Sequence, residues 1–273
     1  MQVTNIKFLL TNACNFRCRF CHNEFQQNKR AKKFDLVKVK NLIDKHLAKF
    51  KSDQLLNFKF SGGEPTLEME TLVELLDFSQ NYDIEKRILI SNLTSLTVND
   101  VRLLISKGIN EIRVNIPSFD KKKFKFHTGT KYRSHSSISK TLDTLRLFKN
   151  EGCSVRINSV ISELETQDQI TSYIDEMINK AKDYKHIDEV YFIADYYSKN
   201  EKYIYDCSLQ YLKQIDNSSK IRRGRIHYGK FDNLLVSVSR CLDRANNEED
   251  ETEIYIIPDG DILKEYNYSR EIS

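Results

Sequence analysis

VTNIKFLLTNACNFRCRFCHNE, residues 3–24, runs an apolar segment straight into a loop carrying three of the chain's six cysteines. Val3–Leu10 is short, bulky and β-branched at its start, and reads as a strand. Cys14, Cys18 and Cys21 follow with the spacing C-x3-C-x2-C. Three thiols on one short loop can converge on a single metal centre. Structural zinc wants four closed ligands, commonly as two separated pairs. His22 is the nearest fourth candidate, but it directly follows Cys21, which is poor geometry for the same ion. A four-iron cluster normally takes four cysteines. A loop that supplies three leaves one iron open to a ligand. Spacing alone leaves zinc binding and a redox disulfide open as alternatives.

Outward from this loop, strands and helices alternate. Leu36, Val39, Leu42, Ile43 and Leu47 mark a helix over 36–50. A strand follows at 55–60, then the tight loop SGGEP (61–65) and a helix over 67–78. RILI (87–90) is a strand. Thr97 starts a helix that Gly108 stops. Strands at 111–116, 153–161 and 190–194 enclose helices at 136–150 and 167–183, and Leu209–Ile215 is a further helical stretch. Repeated βα units with short connections imply parallel strands. Right-handed crossovers curl such strands toward a barrel, and six units fall short of eight. The expected fold is α/β, a partial (β/α)6 barrel over residues 1–200. The cysteine loop, SGGEP and SNLT (91–94) each follow a strand, so all three land on one face.

Residues 201–273 read as a C-terminal extension. NNEEDETE (246–253) is a solvated loop. EIYIIPDGDIL (253–263) is a hairpin turning at Pro258-Asp259-Gly260.

Composition narrows the class. The 273 residues are 40% hydrophobic, with 43 basic and 39 acidic residues and a formal charge of +4. That balance does not coat a polyanion, although anionic small molecules suit it. Basic runs at 29–33, 121–125 and 221–225 read as solvated faces, and no nucleic-acid-binding signature accompanies them. No stretch approaches the roughly 18 apolar residues of a membrane span. The start of the chain lacks the pattern of a secretory signal, so the expected location is the cytoplasm.

CNFRCRFC resembles the cluster loop of radical S-adenosylmethionine (SAM) enzymes, and SGGEP resembles their amino-binding motif. The resemblance implies a [4Fe-4S] cluster on Cys14, Cys18 and Cys21, SAM as cofactor and a reducing electron donor as partner. It implies SAM contacts from Phe20, Gly62, Gly63, Glu64, Asn92, Ser118 and Tyr196. Glycines let the backbone approach the methionyl amine, and Glu64 can accept from it. Within the family, CNFRCRFCHNE, SGGEPTL, IRVNIPSFD, FKFHTGT and VRINSVI resemble the GTP cyclase of molybdenum-cofactor biosynthesis and its relatives.

The departures matter. Ala13 stands where that cyclase carries Arg, and Thr66, Leu67 and Glu68 replace a basic position. The far half offers only Cys207 and Cys241 toward the cyclase's three-cysteine auxiliary cluster. GTP cyclisation is therefore not expected. The leading expectation is hydrogen abstraction from a nucleotide or other anionic small molecule, an oxidoreductase or lyase reaction. Arg156 would be the anion contact, with His22 and Glu24 lining the pocket. The alternative substrate is a ribosomally made peptide. A non-catalytic iron–sulfur or SAM-binding module is the third reading.

Overall fold

The computed structural model describes residues 3–21, 34–47, 55–130, 137–195, 198–216, 220–222, 226–240, 251–257 and 262–263. The first elements are β1 (Val3–Leu9), α1 (Leu36–Leu47), β2 (Leu55–Ser61), α2 (Met69–Ser79), β3 (Lys86–Ile90), α3 (Val98–Ser106) and β4 (Glu111–Asn115). Next come α4 (Lys121–Thr128), α5 (Ile138–Asn150), β5 (Ser154–Ile161), α6 (Gln167–Lys182), β6 (Glu189–Ala194) and α7 (Glu201–Ile215). The tail adds β7 (Lys220–Arg222), β8 (Ile226–Phe231), β9 (Leu234–Arg240), β10 (Glu251–Ile256) and β11 (Ile262–Leu263). The alternation expected from periodicity is present, and the class is α/β.

The chain divides into two compact units. The first comprises Met1–Arg17, Cys21–Ile112 and Glu249–Ser273; the second comprises Cys18–Phe20 and Arg113–Glu248. In the first, β1 pairs in parallel with both β2 and β10, and β2 pairs in parallel with β3. β11 lies antiparallel at the edge of β10, so the hairpin expected there forms. Its turn, residues 258–260, lies outside the described residues.

Two similar tetrapeptides explain the β1–β2 pair. Asn5-Ile6-Lys7-Phe8 sits in register with Asn57-Phe58-Lys59-Phe60. Side chains alternate across a strand. Ile6, Phe8, Phe58 and Phe60 therefore share one face, and all four are buried. The Phe8 ring meets Phe58 edge-on at 5.1 Å and stacks on Phe60 at 5.4 Å. Such aromatic pairs contribute about 0.5–1.5 kcal/mol each beyond their burial. Val39 and Ile43 of α1 and Leu72, Leu75 and Leu76 of α2 supply the helical part of the core. The opposite face carries Asn5, Lys7, Asn57 and Lys59. Parallel strands covered on both sides usually read as unbroken apolar runs. Here one side is polar.

The second unit repeats the scheme. β5 pairs in parallel with β6, and β6 with β9. β8 runs antiparallel to both β9 and β7. Neither unit closes its strands into a ring: the first runs β11-β10-β1-β2-β3 and the second β5-β6-β9-β8-β7. The tail thus supplies strands to both units, β9 beside β6 and β10 beside β1. The β8–β9 hairpin was not expected from sequence. Its turn holds Asp232 at φ +56°, a conformation that Asp tolerates better than most residues. Leu209–Ile215 proves to be the second half of α7.

Helix ends follow local chemistry. Thr97 and Asp100 form a reciprocal capping box on α3, and Thr166 and Gln169 do the same on α6. The unexpected α4 is capped by Asp120, whose carboxylate accepts from Lys122 N and Lys123 N, and ends at left-handed Gly129. Among the described residues, no helix is long and apolar enough to cross a membrane.

Candidate cofactor site

Beyond β1 and β2 the backbone keeps pairing. Leu10 N donates to Ser61 O at 2.9 Å, Gly63 N to Thr11 O at 2.7 Å and Glu64 N to Ala13 O at 2.8 Å. SGGE therefore runs beside the segment that leads into Cys14. Gly62 has φ +131°, and a Cβ there would stand 2.5 Å from Thr11 O. A Cβ on Gly63 would meet Ala13 O at 2.1 Å. Both glycines are thus demanded by the close approach of backbone. Pro65 then opens a single 3-10 turn, Pro65–Leu67, with Glu64 at its N-cap.

Glu64 is buried, and its carboxylate organises the loops around it. Oε1 accepts from Thr66 N, from Thr66 Oγ1 at 2.7 Å and from Ser91 Oγ at 2.6 Å. Oε2 accepts from Asn92 N at 2.8 Å. Burial pushes this carboxyl above the usual range, while the four donors pull it down. Asn92 carries the connection onward. Its Nδ2 donates to Asn15 Oδ1 at 2.6 Å, and its Oδ1 accepts from Thr94 Oγ1 at 2.6 Å. Asn15 Nδ2 donates back to Thr94 Oγ1 at 3.0 Å. The loops after β1, β2 and β3 are therefore joined through side chains as well as backbone.

None of Cys14, Cys18 and Cys21 is in a disulfide, and all three are partly exposed. Cys14 and Cys21 belong to the first unit and Cys18 to the second. Burial pushes the Cys14 thiol up to about 11, the nearby Glu64 and Cys21 charges add to this, and the Phe16 amide opposes it. Phe16 N donates to Cys14 Sγ at 3.3 Å. Among the described residues, no three His, Cys, Asp or Glu side chains stand grouped tightly enough to hold a metal. A metal bound by thiols gathers them and removes their protons. The donor set, three thiols on one loop beside a glycine-lined backbone, fits a cluster with an open iron.

The other expected residues are scattered. Phe20 is buried in the Cys18–Phe20 segment of the second unit. Arg19 anchors that segment. Its amide donates to His127 O at 2.9 Å, its guanidinium lies 3.9 Å over the Phe126 ring, and Glu163 stands 3.8 Å away. FKFHTGT thus has a physical role: its turn receives the middle of the cysteine loop. Ser118 is buried, and its Oγ accepts from Asp120 N at 3.1 Å, a turn-forming bond. Arg156 lies on β5 with Nε donating to Asn158 Oδ1 at 3.0 Å and its guanidinium 3.7 Å over Tyr191. His22, Glu24, Tyr196 and Cys241 lie outside the described residues.

Sequence reasoning missed Asn15, Thr66, Ser91 and Thr94, which are ordinary loop residues until the carboxylate and amide they serve are known. It also missed Asn158 and Tyr191. Alternation within VRINSVI and VYFIA put them on the face of Arg156, and that signal was readable.

Residues 8–177 match the Radical SAM superfamily. The chain belongs to that superfamily. It is an enzyme of a group that uses a [4Fe-4S] cluster and SAM. The GTP 3',8-cyclase of Haemophilus ducreyi is 26% identical over 175 residues, 63% of this chain and 49% of that protein. The probable GTP 3',8-cyclase of Methanocella arvoryzae is 26% identical over 177 residues, 64% of this chain and 53% of that protein. The chain thus spans about half the length of these relatives. Among solved structures, anSMEcpe with bound AdoMet matches with TM-score 0.58 and 18% identity, covering 78% of this chain and 57% of that one. Streptococcus suis SuiB bound to the precursor peptide SuiA matches with TM-score 0.64 and 14% identity, covering 98% and 63%. The partial-barrel fold of radical SAM enzymes is the fold of this chain.

Proposed function

We propose that this radical SAM enzyme removes a hydrogen atom from an anionic small molecule, with a nucleotide as the leading class. Cys14, Cys18 and Cys21 would hold the cluster, and SAM would fill its open position. The cluster and SAM together supply a 5'-deoxyadenosyl radical, which is the chemistry the protein must aim and shelter. Gly62 and Gly63 let the backbone come close to SAM's amino group. Glu64 would meet that ammonium through Oε2, while Oε1 stays with Thr66 and Ser91. Phe20, Ser118 and Tyr196 would complete the cofactor's surroundings, and His22 and Glu24 the substrate's. The setting would be the cytoplasm, where a reducing donor is at hand.

Arg156 carries the substrate reading. Asn158 and Tyr191 hold its guanidinium in one orientation, and a pre-oriented fork recognises phosphate or carboxylate. Tyr191 is itself tied to Ser239 Oγ. Burial pushes the Tyr191 hydroxyl up, and the nearby Arg156 charge works against it. The cyclase's basic residue after GGEP is replaced by Thr66-Leu67-Glu68, so the GTP reaction itself is not proposed.

A peptide substrate is the second reading. The likeness to SuiB extends over 98% of the chain and so includes the tail strands, whereas the cyclase likeness covers 63% of the chain. The test is SAM turnover by anaerobically reconstituted, reduced protein offered nucleotides or short peptides. Acceleration of 5'-deoxyadenosine release by a nucleotide, needing about tenfold more nucleotide in Arg156→Lys, supports the first reading. Acceleration by peptides alone replaces it with the second.

A further inference from the structure

Asn15, Asn92 and Thr94 close a ring of side-chain hydrogen bonds. Asn92 Nδ2 donates to Asn15 Oδ1 at 2.6 Å, Asn15 Nδ2 to Thr94 Oγ1 at 3.0 Å, and Thr94 Oγ1 to Asn92 Oδ1 at 2.6 Å. The three bonds run in one direction, so each residue both gives and receives. Bonds chained in this way polarise and strengthen one another. Asn92 Oδ1 also accepts from Thr94 N at 3.0 Å, which occupies both lone pairs of that oxygen. Between two ring members lies Leu93, fully buried at φ +63°. A bulky residue at positive φ is strained, and such strain persists only where the surroundings over-determine it. Here they do. Leu93 N donates to Ser91 Oγ at 2.9 Å, and Ser91 Oγ donates to Glu64 Oε1 at 2.6 Å. Asn92 N donates to Glu64 Oε2 at 2.8 Å. One strained pivot thus connects Asn15, the neighbour of Cys14, with the Glu64 carboxylate.

We propose that Asn15 and Thr94 are positioning residues for SAM: with Asn92 they fix the Cys14 end of the cysteine loop against the Glu64 carboxylate. This role rests on the proposed cofactor site and extends it to two residues that touch neither cluster nor SAM in that reading. Cys14 would hold the cluster and Glu64 the methionyl ammonium, so SAM can meet both only at one separation. The bond from Glu64 N to Ala13 O fixes the Glu64 main chain. The carboxylate beyond it is set by its donors, and Asn92 N is one of these. The ring carries that setting across to Asn15. Misplacement by about 1 Å costs on the order of 100-fold in rate, which is the reason to tie the two loops by side chains as well as backbone. Asn92 then serves through its amide N–H and the ring, since the acceptor end of its side chain is taken by Thr94.

The experiment uses the full-length protein, anaerobically reconstituted, beside Thr94→Val, Asn15→Ala, their double variant and Thr94→Ser. Thr94→Val removes the hydroxyl and Thr94→Ser keeps it. SAM affinity is read by equilibrium dialysis at verified iron content. Thr94→Val and Asn15→Ala are each expected to weaken SAM binding about tenfold, the scale of one lost neutral hydrogen bond. Thr94→Ser should stay within about twofold of the wild type. The double variant should lie within about twofold of the weaker single, because one ring is lost only once. Singles indistinguishable from the wild type, or a double variant showing the product of the two losses, overturn the assignment. A second readout needs no cluster. Before iron is loaded, hydrogen exchange over residues 13–17 should quicken about tenfold in Thr94→Val, although Thr94 is 79 residues from Asn15 in sequence, and not in Thr94→Ser. Unchanged exchange there overturns the assignment as well. The wild type alone covers variants that do not fold or load: SAM should slow exchange over residues 91–96 of the loaded protein, and no slowing counts against positioning. A wild type with a verified cluster that binds no SAM sinks the cofactor reading and this role with it. SAM binding indifferent to Thr94→Val and Asn15→Ala sinks this role alone.

Discussion

The loops around Glu64 and the strip around Arg156 are both polar, yet they are built in opposite ways. Around Glu64, backbone meets backbone with no room for a methyl group, and one carboxylate accepts four donors. Around Arg156, side chains stand at alternate positions of regular strands and touch one another at their tips. The first arrangement leaves little freedom to change a residue without moving the backbone. The second can be rewritten residue by residue without disturbing the backbone. The proposed function places cofactor chemistry in the first and substrate choice in the second.

The strongest way to break this contrast is Gly63→Ala. Its Cβ would need the place of Ala13 O, so the loop beside Cys14 must move. We expect 5'-deoxyadenosine formation to fall by about 100-fold or more, with reduced iron content. Unchanged turnover would show that the close approach is incidental.

Glu64→Ala leaves four donors without their acceptor and is expected to cost about 3 kcal/mol or more in urea unfolding. Titration sharpens the point. Burial raises the Glu64 carboxyl in the folded state above its unfolded value, so the native state holds that proton more tightly. The resulting stability is fully present below the ordinary carboxylate range, about pH 4, and is lost as pH rises through the raised value. Glu64→Gln does not titrate. The wild-type urea midpoint, taken relative to Glu64→Gln, should fall as pH rises from about 4. A flat difference would mean that the donors offset burial completely.

In the Arg156 strip the expected effects are smaller and confined to substrate. Arg156→Lys loses the fork and the ring contact, and should raise the KM of an anionic substrate by about tenfold. An equal loss in kcat would instead make Arg156 part of the reacting geometry. Smallest of all is Arg19→Ala. The Arg19–Glu163 pair is 3.8 Å apart with side chains 49% and 62% exposed. Together with the Phe126 contact it should contribute less than about 1 kcal/mol to thermal unfolding. A larger effect would show that the FKFHTGT turn governs the cysteine loop's conformation.

The contrast also explains what could be read in advance. SGGEP announces itself because only glycine satisfies Gly62 and Gly63, and an unusual residue leaves a mark in sequence. The helices from Thr97 and Thr166 were readable from caps and apolar spacing. α4 was not, because KKKFKFHT reads as a charge run; its signals were the flanking Asp120 and Gly129. The β8–β9 hairpin hid in a tail judged by its charge, although IHYGKF and LLVSVS flank Asp232-Asn233 as a hairpin should. The Glu64 network was invisible because Asn15, Ser91 and Thr94 acquire meaning only when three loops meet. Lys7 and Lys59 likewise became neighbours only through strand register.

The most direct test of the account uses reduced, anaerobically reconstituted protein supplied with SAM, beside a variant in which Cys14, Cys18 and Cys21 are all Ala. The account predicts a four-iron cluster and 5'-deoxyadenosine from the wild type, and neither from the variant. Zinc in place of iron, or a verified cluster that leaves SAM intact, would contradict it.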